Sequence, residues 1–430
     1  MRKAWILLAP GHVLITAALA CIAFALGALP RAGWASGTAA SSGPVLRHHE
    51  VKPTDLGAPT PDEANVSRLI PRPAAAKLAM PPGFEIATFA EGGFGRPRWL
   101  AQSPNGDVLV SDSDSGTVIL LRDADADGVP EQRHTFARGL NQPFGMAFWG
   151  DHFYVANTDA VLRYRYRAGE TRVEGSPDTL IRLPGRGYRQ HWTRNICFSP
   201  DGSKLYVTVG SRSNVSEEQD PMRAAIWEFN PDGSEGRPVA TGTRNPIGLA
   251  FRPGTRELWA AVQERDNLGD ELVPDYVTRV VDGGFYGWPY FYIGSHQDPR
   301  WSKSPAQLRE KVVVPDVLLR AHSAVLGLAF YDAKMFPAEY RGDAFAALHG
   351  SWNRAKLTGY KIIRIRFRDG RPVGGYDDFI AGWMLGEDSP EVWGRPVGLL
   401  VLRDGSLLIT DDGADKLWRV TYRAPEAGGR

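Results

Sequence analysis

Six copies of one strand-and-turn pattern constrain the fold of this chain more than any other feature. Each copy begins with a turn that usually contains Pro and continues with an apolar strand, a polar turn with Gly, and further strands. The copies lie at residues 96–122, 142–164, 188–229, 244–261, 324–365 and 395–420. A single small sheet cannot bury both of its faces, so repeats of this size are typical of stacked propeller blades. The sequence therefore predicts an all-β fold, a six-bladed β-propeller over residues 81–423.

The composition favours the same fold class. The chain has 47 Gly and 32 Pro, spread between apolar runs, as expected for many short strands joined by turns. Its 50 Lys and Arg residues nearly balance its 49 Asp and Glu residues. Because there is no net basic field, binding to nucleic acid is disfavoured.

The first 35 residues are predicted to be an export signal. Arg2 and Lys3 precede an apolar run at residues 4–29, and small residues lead to a cleavage site after Ala35. The apolar run also reaches the length of roughly 20 residues that spans a bilayer, so an uncleaved anchor that tethers the protein to a membrane is an alternative. Either interpretation places the rest of the chain in the periplasm or cell envelope.

The segments that flank the propeller are predicted to be a linker and a tail. Residues 36–80 are rich in Pro, Ala, Ser and Thr and are interpreted as a linker or a wrap around the main domain. Residues 424–430 form the C-terminal tail. Of the two cysteines, Cys21 lies in the signal and Cys197 in a predicted strand. The mature chain therefore cannot form an internal disulfide.

Polar residues are concentrated in insertions that follow the turns of the inner strands. If the blades are equivalent, these insertions share one end of the propeller axis, where loops form a pocket. The predicted pocket residues are His191, Arg194, Arg212, Asn214, Arg244, Asn245, Asp270, Glu271, His322, His349, Arg354 and Arg395. Guanidinium groups pair with carboxylates or phosphates through two hydrogen bonds, so these arginines predict a multiply anionic ligand. Structural ion pairs between blades are the alternative for some of them.

His191 is the predicted general base of this pocket. An imidazole with an unperturbed pKa of about 6.5 accepts a proton near neutrality. A purely structural histidine is the alternative. The sequence has no Ser-His-Asp order, P-loop, GxGxxG unit or HExxH motif in a supporting context.

Two acidic loops have the composition of a site for a hard cation. Residues 263–271 combine carboxylates with Gly, as calcium loops do, and a solvated turn is the alternative. Residues 123–128 match the first half of a calcium loop, but His134 holds the twelfth position, where Glu is expected. A hairpin tip is favoured there, with a structural calcium ion as the alternative.

Several motifs together resemble the soluble pyrroloquinoline-quinone (PQQ) sugar dehydrogenases, and most closely the sorbosone dehydrogenase branch. The likeness covers nearly all of residues 81–423. The matching segments are Gln190-His191 ahead of residues 198–210, residues 242–251, residues 269–272, residues 284–289, residues 349–354 and residues 393–398.

The resemblance implies a six-bladed propeller that binds PQQ and calcium at its axis. His191 would remove the substrate hydroxyl proton while hydride passes to the quinone, and Arg244 would polarise the quinone oxygen. The implied cofactor-binding residues are Arg212, Asn214, Arg244, Asn245, Arg354 and Arg395, and the implied metal site contains Glu264, Arg265, Asp270 and Glu271.

Three features differ from the glucose oxidisers of that family, one of them being Arg354 in place of a lysine that contacts the cofactor. Gln190 stands where an acidic residue precedes the histidine, and Glu264-Arg265 stand where a Gly-Pro pair offers main-chain oxygens to calcium. Main-chain oxygens of Glu264 and Arg265 would still suit calcium. The acidic group that would orient His191 has no counterpart next to it in the sequence.

Three functions compete at this stage. The first is an exported, PQQ- and calcium-dependent dehydrogenase that oxidises a sugar, an aldose or an aldehyde hydrate and passes electrons to an external acceptor. The second is a calcium-dependent propeller lactonase, which would need no quinone. The third is a non-catalytic propeller that binds carbohydrate or protein.

Overall fold

Six antiparallel sheets form the part of the chain that the computed structural model describes, residues 44–185 and 191–424. Blade 1 contains Pro97–Gln102, Val108–Asp112, Thr117–Arg122 and Gln132–Arg138. Blade 2 contains Met146–Trp149, His152–Ala156, Ala160–Arg165 and Asp178–Arg182. Blade 3 contains Ile196–Phe198, Leu205–Val209, Ala225–Phe229 and Arg237–Thr241, with Gly284–Phe285 added in parallel at its edge.

The other three blades repeat this order. Blade 4 contains Asn245–Phe251, Leu258–Gln263, Tyr276–Arg279 and Val317–Leu318. Blade 5 contains Val325–Phe330, Ala344–Leu348, Lys361–Ile365, Tyr376–Ala381 and the edge strand His48–His49. Blade 6 contains Pro396–Val401, Leu407–Asp411, Lys416–Tyr422 and Phe84–Glu91. The first strand of each blade contacts that of the next, and blade 6 returns to blade 1, which confirms the predicted six-bladed propeller.

Short elements connect the blades. The two-stranded ribbons pair Arg68–Leu69 with Glu391–Val392, Phe291–Tyr292 with His296–Gln297, and Phe367–Arg368 with Arg371–Pro372. One α-helical turn spans Ala306–Arg309, and 3-10 turns span Pro53–Asp55 and Ala338–Tyr340. No helix within the described ranges is long and apolar enough to cross a membrane, and the predicted export signal lies outside those ranges.

Blade 6 combines the two ends of the propeller. Its outer strand, Phe84–Glu91, precedes blades 1 to 5 in the sequence except for the short edge strand His48–His49, and it pairs antiparallel with Lys416–Tyr422 near the end of the chain. This pairing closes the ring through backbone hydrogen bonds. It needs no disulfide, consistent with the single free cysteine of the described chain, Cys197.

The axis is filled by large apolar side chains from five inner segments. Trp99, Phe144, Ile247, Leu326 and Val397 form one buried cluster, against which Trp192 packs. The second strand of a blade lies between neighbouring blades and is buried on both faces, as Val108–Asp112, Ala344–Leu348 and Leu407–Asp411 show. Burial on both faces explains why these strands are apolar and lack a polar alternation.

The described part of the predicted linker, residues 44–80, lies along the propeller and is called the N-terminal strap below. It begins beside blade 5, where His48–His49 pair with Tyr376–Asp377. It then pairs with Glu391–Val392 through Arg68–Leu69, and Ala79 bridges to Ala381. Between these points the strap crosses the loops that carry residues 268–269 and 352–355.

Candidate active site

A small cavity lies where loops of blades 3, 4 and 5 meet. Its volume is about 70 Å³. The lining residues are His191, Arg244, Gln263, Glu264, Asp266, Asp275, His322, Ala324 and Trp352. Most of them are buried and titratable, and clusters of this kind mark functional sites. The cavity brings together three residues of the predicted pocket, His191, Arg244 and His322.

His191 is held in one orientation by Ser211. The side chain is 3% exposed, and its Nδ1 lies 3.1 Å from Ser211 O and 2.9 Å from Ser211 Oγ. A main-chain oxygen only accepts hydrogen bonds, so Nδ1 carries the proton and Nε2 the lone pair of the neutral ring. Burial, followed by the charge of Arg244, lowers the pKa of His191 well below 6.5. The imidazole is therefore neutral at pH 7.

Close packing around His191 requires a glycine. A Cβ on Gly210 would lie 2.3 Å from Asn245 Oδ1 and 2.9 Å from His191 Cβ. Any larger residue at this position would push His191 and Asn245 apart. The orienting group that the sequence did not reveal is thus supplied by Ser211, next to this glycine, whereas Gln190 lies outside the described residues.

Arg244 is fixed by acceptors on several sides. Its Nη1 donates to Glu264 O, its Nη2 donates to Asn214 Oδ1 and Asp266 Oδ2 at 2.9 Å each, and its Nε donates to Asn214 O at 3.3 Å. Asn214 therefore positions Arg244 and does not line the cavity itself. A guanidinium held in this way keeps its place when a ligand arrives.

His322 and Asp266 form a buried pair on the other side of the cavity. His322 Nδ1 lies 3.4 Å from Asp266 Oδ1, and Nε2 lies 3.0 Å from Gly269 O. Burial alone would lower the pKa of His322, but the hydrogen bonds and charge of its neighbours, Asp266 above all, raise it above 6.5. Burial would raise the pKa of Asp266, but Arg244 and His322 lower it below 3.8. The contact therefore favours the protonated form of His322 and the ionised form of Asp266.

Asp275 connects two strands at the floor of the site. Its carboxylate accepts from the N–H groups of Glu264 at 2.8 Å and Ala324 at 2.7 Å. Burial raises the pKa of Asp275 to about 7. Asp266 lies in the acidic loop that the sequence predicted as a cation site, and Asp275 follows it, but their contacts with Arg244, His322 and Ala324 were not predicted.

The other predicted cofactor residues are distributed around this cavity. Asn245 lies beside His191 and donates to Gln263 at 3.0 Å. Arg354 is 2% exposed and donates to Glu271 at 2.7 Å and to Asp270 O at 3.1 Å. Arg212 is exposed, and its backbone N–H donates to Glu218. Arg212 and Arg354 are absent from the described cavity lining.

Arg395 belongs to a second basic cluster, which is centred on the buried Asp412. The Nε atoms of Arg395 and Arg96 lie 3.0 and 3.3 Å from this carboxylate, His349 Nε2 lies 3.0 Å from it, and Arg98 Nη1 donates to it. Burial lowers the pKa of Arg98 to about 10 and that of His349 to about 4. Positive charge therefore exceeds negative charge around Asp412.

The sequence holds a signal for Arg96, which was not among the predicted pocket residues. Arg96 directly precedes the inner strand of blade 1, as Arg244 and Arg395 directly precede those of blades 4 and 6. The indole of Trp192, next to His191, lies 5.5 Å from the guanidinium of Arg98. Trp192 therefore contacts the cluster around Asp412 from the residue next to His191.

The predicted metal residues are engaged with one another. Arg265 is fully buried and donates to Glu264 at 3.0 Å and to Asp298 at 3.1 Å, while Glu264 O accepts from Arg244. Within residues 44–185 and 191–424, the carboxylates that converge within 4.8 Å are those of Asp123, Asp125, Asp127 and Glu131, at the hairpin tip of blade 1. Glu131 thus supplies a carboxylate where the sequence offered only His134.

Comparison with known proteins identifies a family and relatives. The model of the family described as Glucose / Sorbosone dehydrogenase matches residues 147–372. An uncharacterized protein of Borreliella burgdorferi is 28% identical over 355 residues, which are 80% of this chain and 91% of that protein. Quinoprotein glucose dehydrogenase B of Acinetobacter calcoaceticus is 24% identical over 242 residues, which are 44% of this chain and 47% of that enzyme.

A solved structure supports the fold. The holo form of the PQQ domain of a pyranose dehydrogenase from Coprinopsis cinerea superposes with a TM-score of 0.66 at 20% identity. The superposition covers 82% of this chain and 98% of that domain. At this level of identity the likeness shows the architecture alone.

Proposed function

This chain belongs to the glucose/sorbosone dehydrogenase family, and from that premise we propose that it is a PQQ-dependent oxidoreductase acting on a sugar, an aldose or an aldehyde hydrate. The observation that carries the proposal is the neutral His191 next to the fixed cation Arg244 in one cavity. A base and a cation that line one cavity suit the removal of a hydroxyl proton and the stabilisation of charge on oxygen. Sorbosone or a related aldehyde is one substrate within this class.

One buried acceptor and one buried donor are available to a bound quinone. Asn245 Oδ1 and Arg354 Nε are buried and have no hydrogen-bond partner among the described residues, so both can serve a bound ligand. The enclosed volume of about 70 Å³ is much smaller than the roughly 300 Å³ of a small ligand pocket. A multi-ring cofactor would therefore extend beyond this cavity.

PQQ would supply an electrophilic carbonyl that accepts the hydride. Arg244, Asn245 and Arg354 would hold it, together with Arg395 if it reaches the cluster around Asp412. His191 accepts the hydroxyl proton at Nε2, because Nδ1–H is committed to Ser211. Arg244 stabilises the negative charge that develops on oxygen.

Calcium is a separate and weaker part of the proposal. The main-chain oxygen of Glu264 accepts from Arg244, and the charge of Arg265 is balanced by Glu264 and Asp298. This arrangement does not fit a calcium ion. The ion enters the proposal only through the family resemblance.

The decisive experiment is titration of the purified apoprotein with PQQ, followed by absorbance, with and without calcium. We expect saturable binding at one site and PQQ-dependent reduction of an artificial dye by aldoses. Activity that requires both PQQ and calcium would support a calcium requirement. Activity with PQQ alone would show that calcium is not required. Absence of PQQ binding, or lactone hydrolysis without PQQ, would overturn the proposal.

Export and an external electron acceptor complete the proposal. The charged and apolar pattern of residues 1–35 supports transfer to the periplasm or cell envelope. Fractionation of expressing cells, with N-terminal sequencing of the product, tests this part. A full-length product in the cytoplasm would contradict it.

A further inference from the structure

Trp352 is an exposed indole in a loop whose neighbouring side chains are buried. Ser351, Asn353 and Arg354 are 1%, 3% and 2% exposed, whereas Trp352 is 41% exposed. Trp352 also lines the cavity that contains His191 and Arg244. A large aromatic surface left in contact with solvent beside a polar cavity is typical of a binding surface.

The N-terminal strap fixes the loop that carries this indole. Asn65 N–H donates to Trp352 O at 3.0 Å, and Asn65 Nδ2 donates to Ala355 O at 3.0 Å. Asn353 Nδ2 donates to Glu63 O at 3.4 Å, and Asn353 Oδ1 accepts from Asn267 N–H at 2.8 Å. The backbone on both sides of Trp352 is thus held in place, while the ring remains accessible.

Two exposed polar residues contact the loop that carries the indole. Glu271 has a side chain that is 69% exposed and is oriented by Arg354 Nη2 at 2.7 Å. Asn267 is also exposed and is tied to the same loop through Asn353. A sugar in its ring form has an apolar C–H face and a rim of hydroxyl groups. An aromatic ring with polar neighbours matches both parts.

We propose that Trp352 is the platform on which the ring of a pyranose substrate stacks, and that the strap positions it. This inference rests on the proposed function and narrows the substrate class to ring-form sugars over small open-chain aldehydes. Trp352 acts on substrate binding, whereas Asn65 is a positioning residue that acts through the loop. His191 and Arg244 keep their proposed roles as the base and the stabilising cation.

The first test measures sugar binding without turnover. Saturation-transfer NMR is recorded with the methyl pyranosides of glucose, galactose and xylose, on the PQQ-loaded protein if PQQ binds and on the apoprotein otherwise. We expect transfer to the ring protons in wild type, about tenfold weaker binding in Trp352→Ala, and partial retention in Trp352→Phe. Lack of transfer from all three sugars in wild type would overturn the inference.

A matched control is available in Trp149. It is 38% exposed and is not among the cavity lining residues. Trp149→Ala is expected to bind the pyranosides as wild type does. Equal losses in Trp149→Ala and Trp352→Ala would show a general effect of tryptophan removal and would contradict the proposal.

The second test separates substrate stacking from cofactor stacking by kinetics. Trp352→Ala is expected to raise KM for D-glucose about tenfold, while KM for glyceraldehyde changes less than twofold and PQQ affinity is unchanged. Asn65→Ala is expected to raise KM for D-glucose about two- to fivefold at constant kcat. Equal rises for both substrates, or weaker PQQ binding with unchanged KM, would overturn the inference. If PQQ does not bind at all, the proposed function fails. The inference about Trp352 is then decided by pyranoside binding alone.

Discussion

His191 and His322 line the same cavity, yet their pKa values are shifted in opposite directions. Both are buried, at 3% and 6% exposure. Burial, followed by the charge of Arg244, lowers the pKa of His191 well below 6.5. Burial alone would also lower the pKa of His322, but the carboxylate of Asp266 reverses the shift and raises it. Because both rings are buried, the charge of the neighbour sets the difference between their pKa values.

The difference also assigns separate tasks to the two rings. A neutral imidazole with Nδ1 committed to Ser211 accepts a proton at Nε2. A protonated imidazole next to Asp266 does not accept another proton and instead balances charge beside Arg244. His191 is thus the proposed base, and His322 is a positioning residue that acts through Asp266.

The largest expected effect separates the two histidines in turnover. His191→Ala removes the base and is expected to lower kcat by about 10²- to 10⁴-fold. His322→Ala is expected to lower kcat less than tenfold, because Arg244 keeps its contacts with Asn214, Glu264 and Asp266. Dye reduction by PQQ-loaded protein, with circular dichroism to verify folding, measures both variants. Equal losses would show that the two rings have the same role.

The next largest effect is expected from removing the negative charge of Asp266. Asp266→Asn leaves Arg244 buried without its carboxylate, which is expected to lower the free energy of unfolding by about 3 kcal/mol. The pKa of His322 should fall in the same variant, as followed by NMR titration of ¹⁵N-labelled histidines. Asp388→Asn is the control, because Asp388 pairs with Lys356 at the surface and should cost about 0–1 kcal/mol. Similar losses in the two variants would contradict the predicted charge at Asp266.

The pH dependence of stability should have opposite signs at the two rings. Below about pH 6.5 the unfolded chain protonates His191 while the native state resists, so this ring lowers stability as pH falls, by up to about 1.4 kcal/mol per pH unit. The native pKa of His322 is raised, so its contribution is complete below about pH 6.5 and is lost as pH rises through the native pKa.

Urea unfolding at pH 5, 6.5 and 8 measures this prediction. His191→Ala should lessen the loss of stability between pH 6.5 and 5, and His322→Ala should lessen the loss on the alkaline side. If both substitutions lessened the loss of stability on the same side of pH 6.5, the assigned charges would be refuted.

The smallest expected effect concerns the contact that orients His191. Ser211→Ala removes the hydroxyl at 2.9 Å but keeps the main-chain oxygen at 3.1 Å. The expected change in kcat is less than about fivefold, since one neutral hydrogen bond contributes about 1 kcal/mol. Ser323→Ala, a buried serine whose hydroxyl donates to Arg320 O, is the control. A loss as large as that of His191→Ala would show that the hydroxyl, and not the carbonyl, orients the ring.

Most of the fold could be predicted from the sequence because a propeller repeats one local unit. Each blade needs a strand, a tight turn and a buried second strand, and these leave their pattern within a few tens of residues. Even the position of Arg244 followed from repeat phase. The path of the N-terminal strap did not, because it depends on single contacts such as that between Asn65 and Trp352.

The candidate site was only partly predictable for the same reason. His191, Arg244 and Asn245 follow inner turns and were identified by pattern. Asp266 and His322 are 56 residues apart, and Asp412 and Arg98 are 314 apart. Their pairing depends on how blades meet, and one sequence does not record it. Exposure of Trp352 is likewise invisible before the loop around it is folded.

The closure of blade 6 has a consequence for synthesis of the chain. Phe84–Glu91 is made about 325 residues before its partner Lys416–Tyr422. At roughly 5–20 residues per second, this strand waits on the order of 16–65 seconds for its partner. During that time its backbone edge is open to other strands, which is a hazard of aggregation. Production of this protein therefore depends on protecting one early strand until the last one emerges.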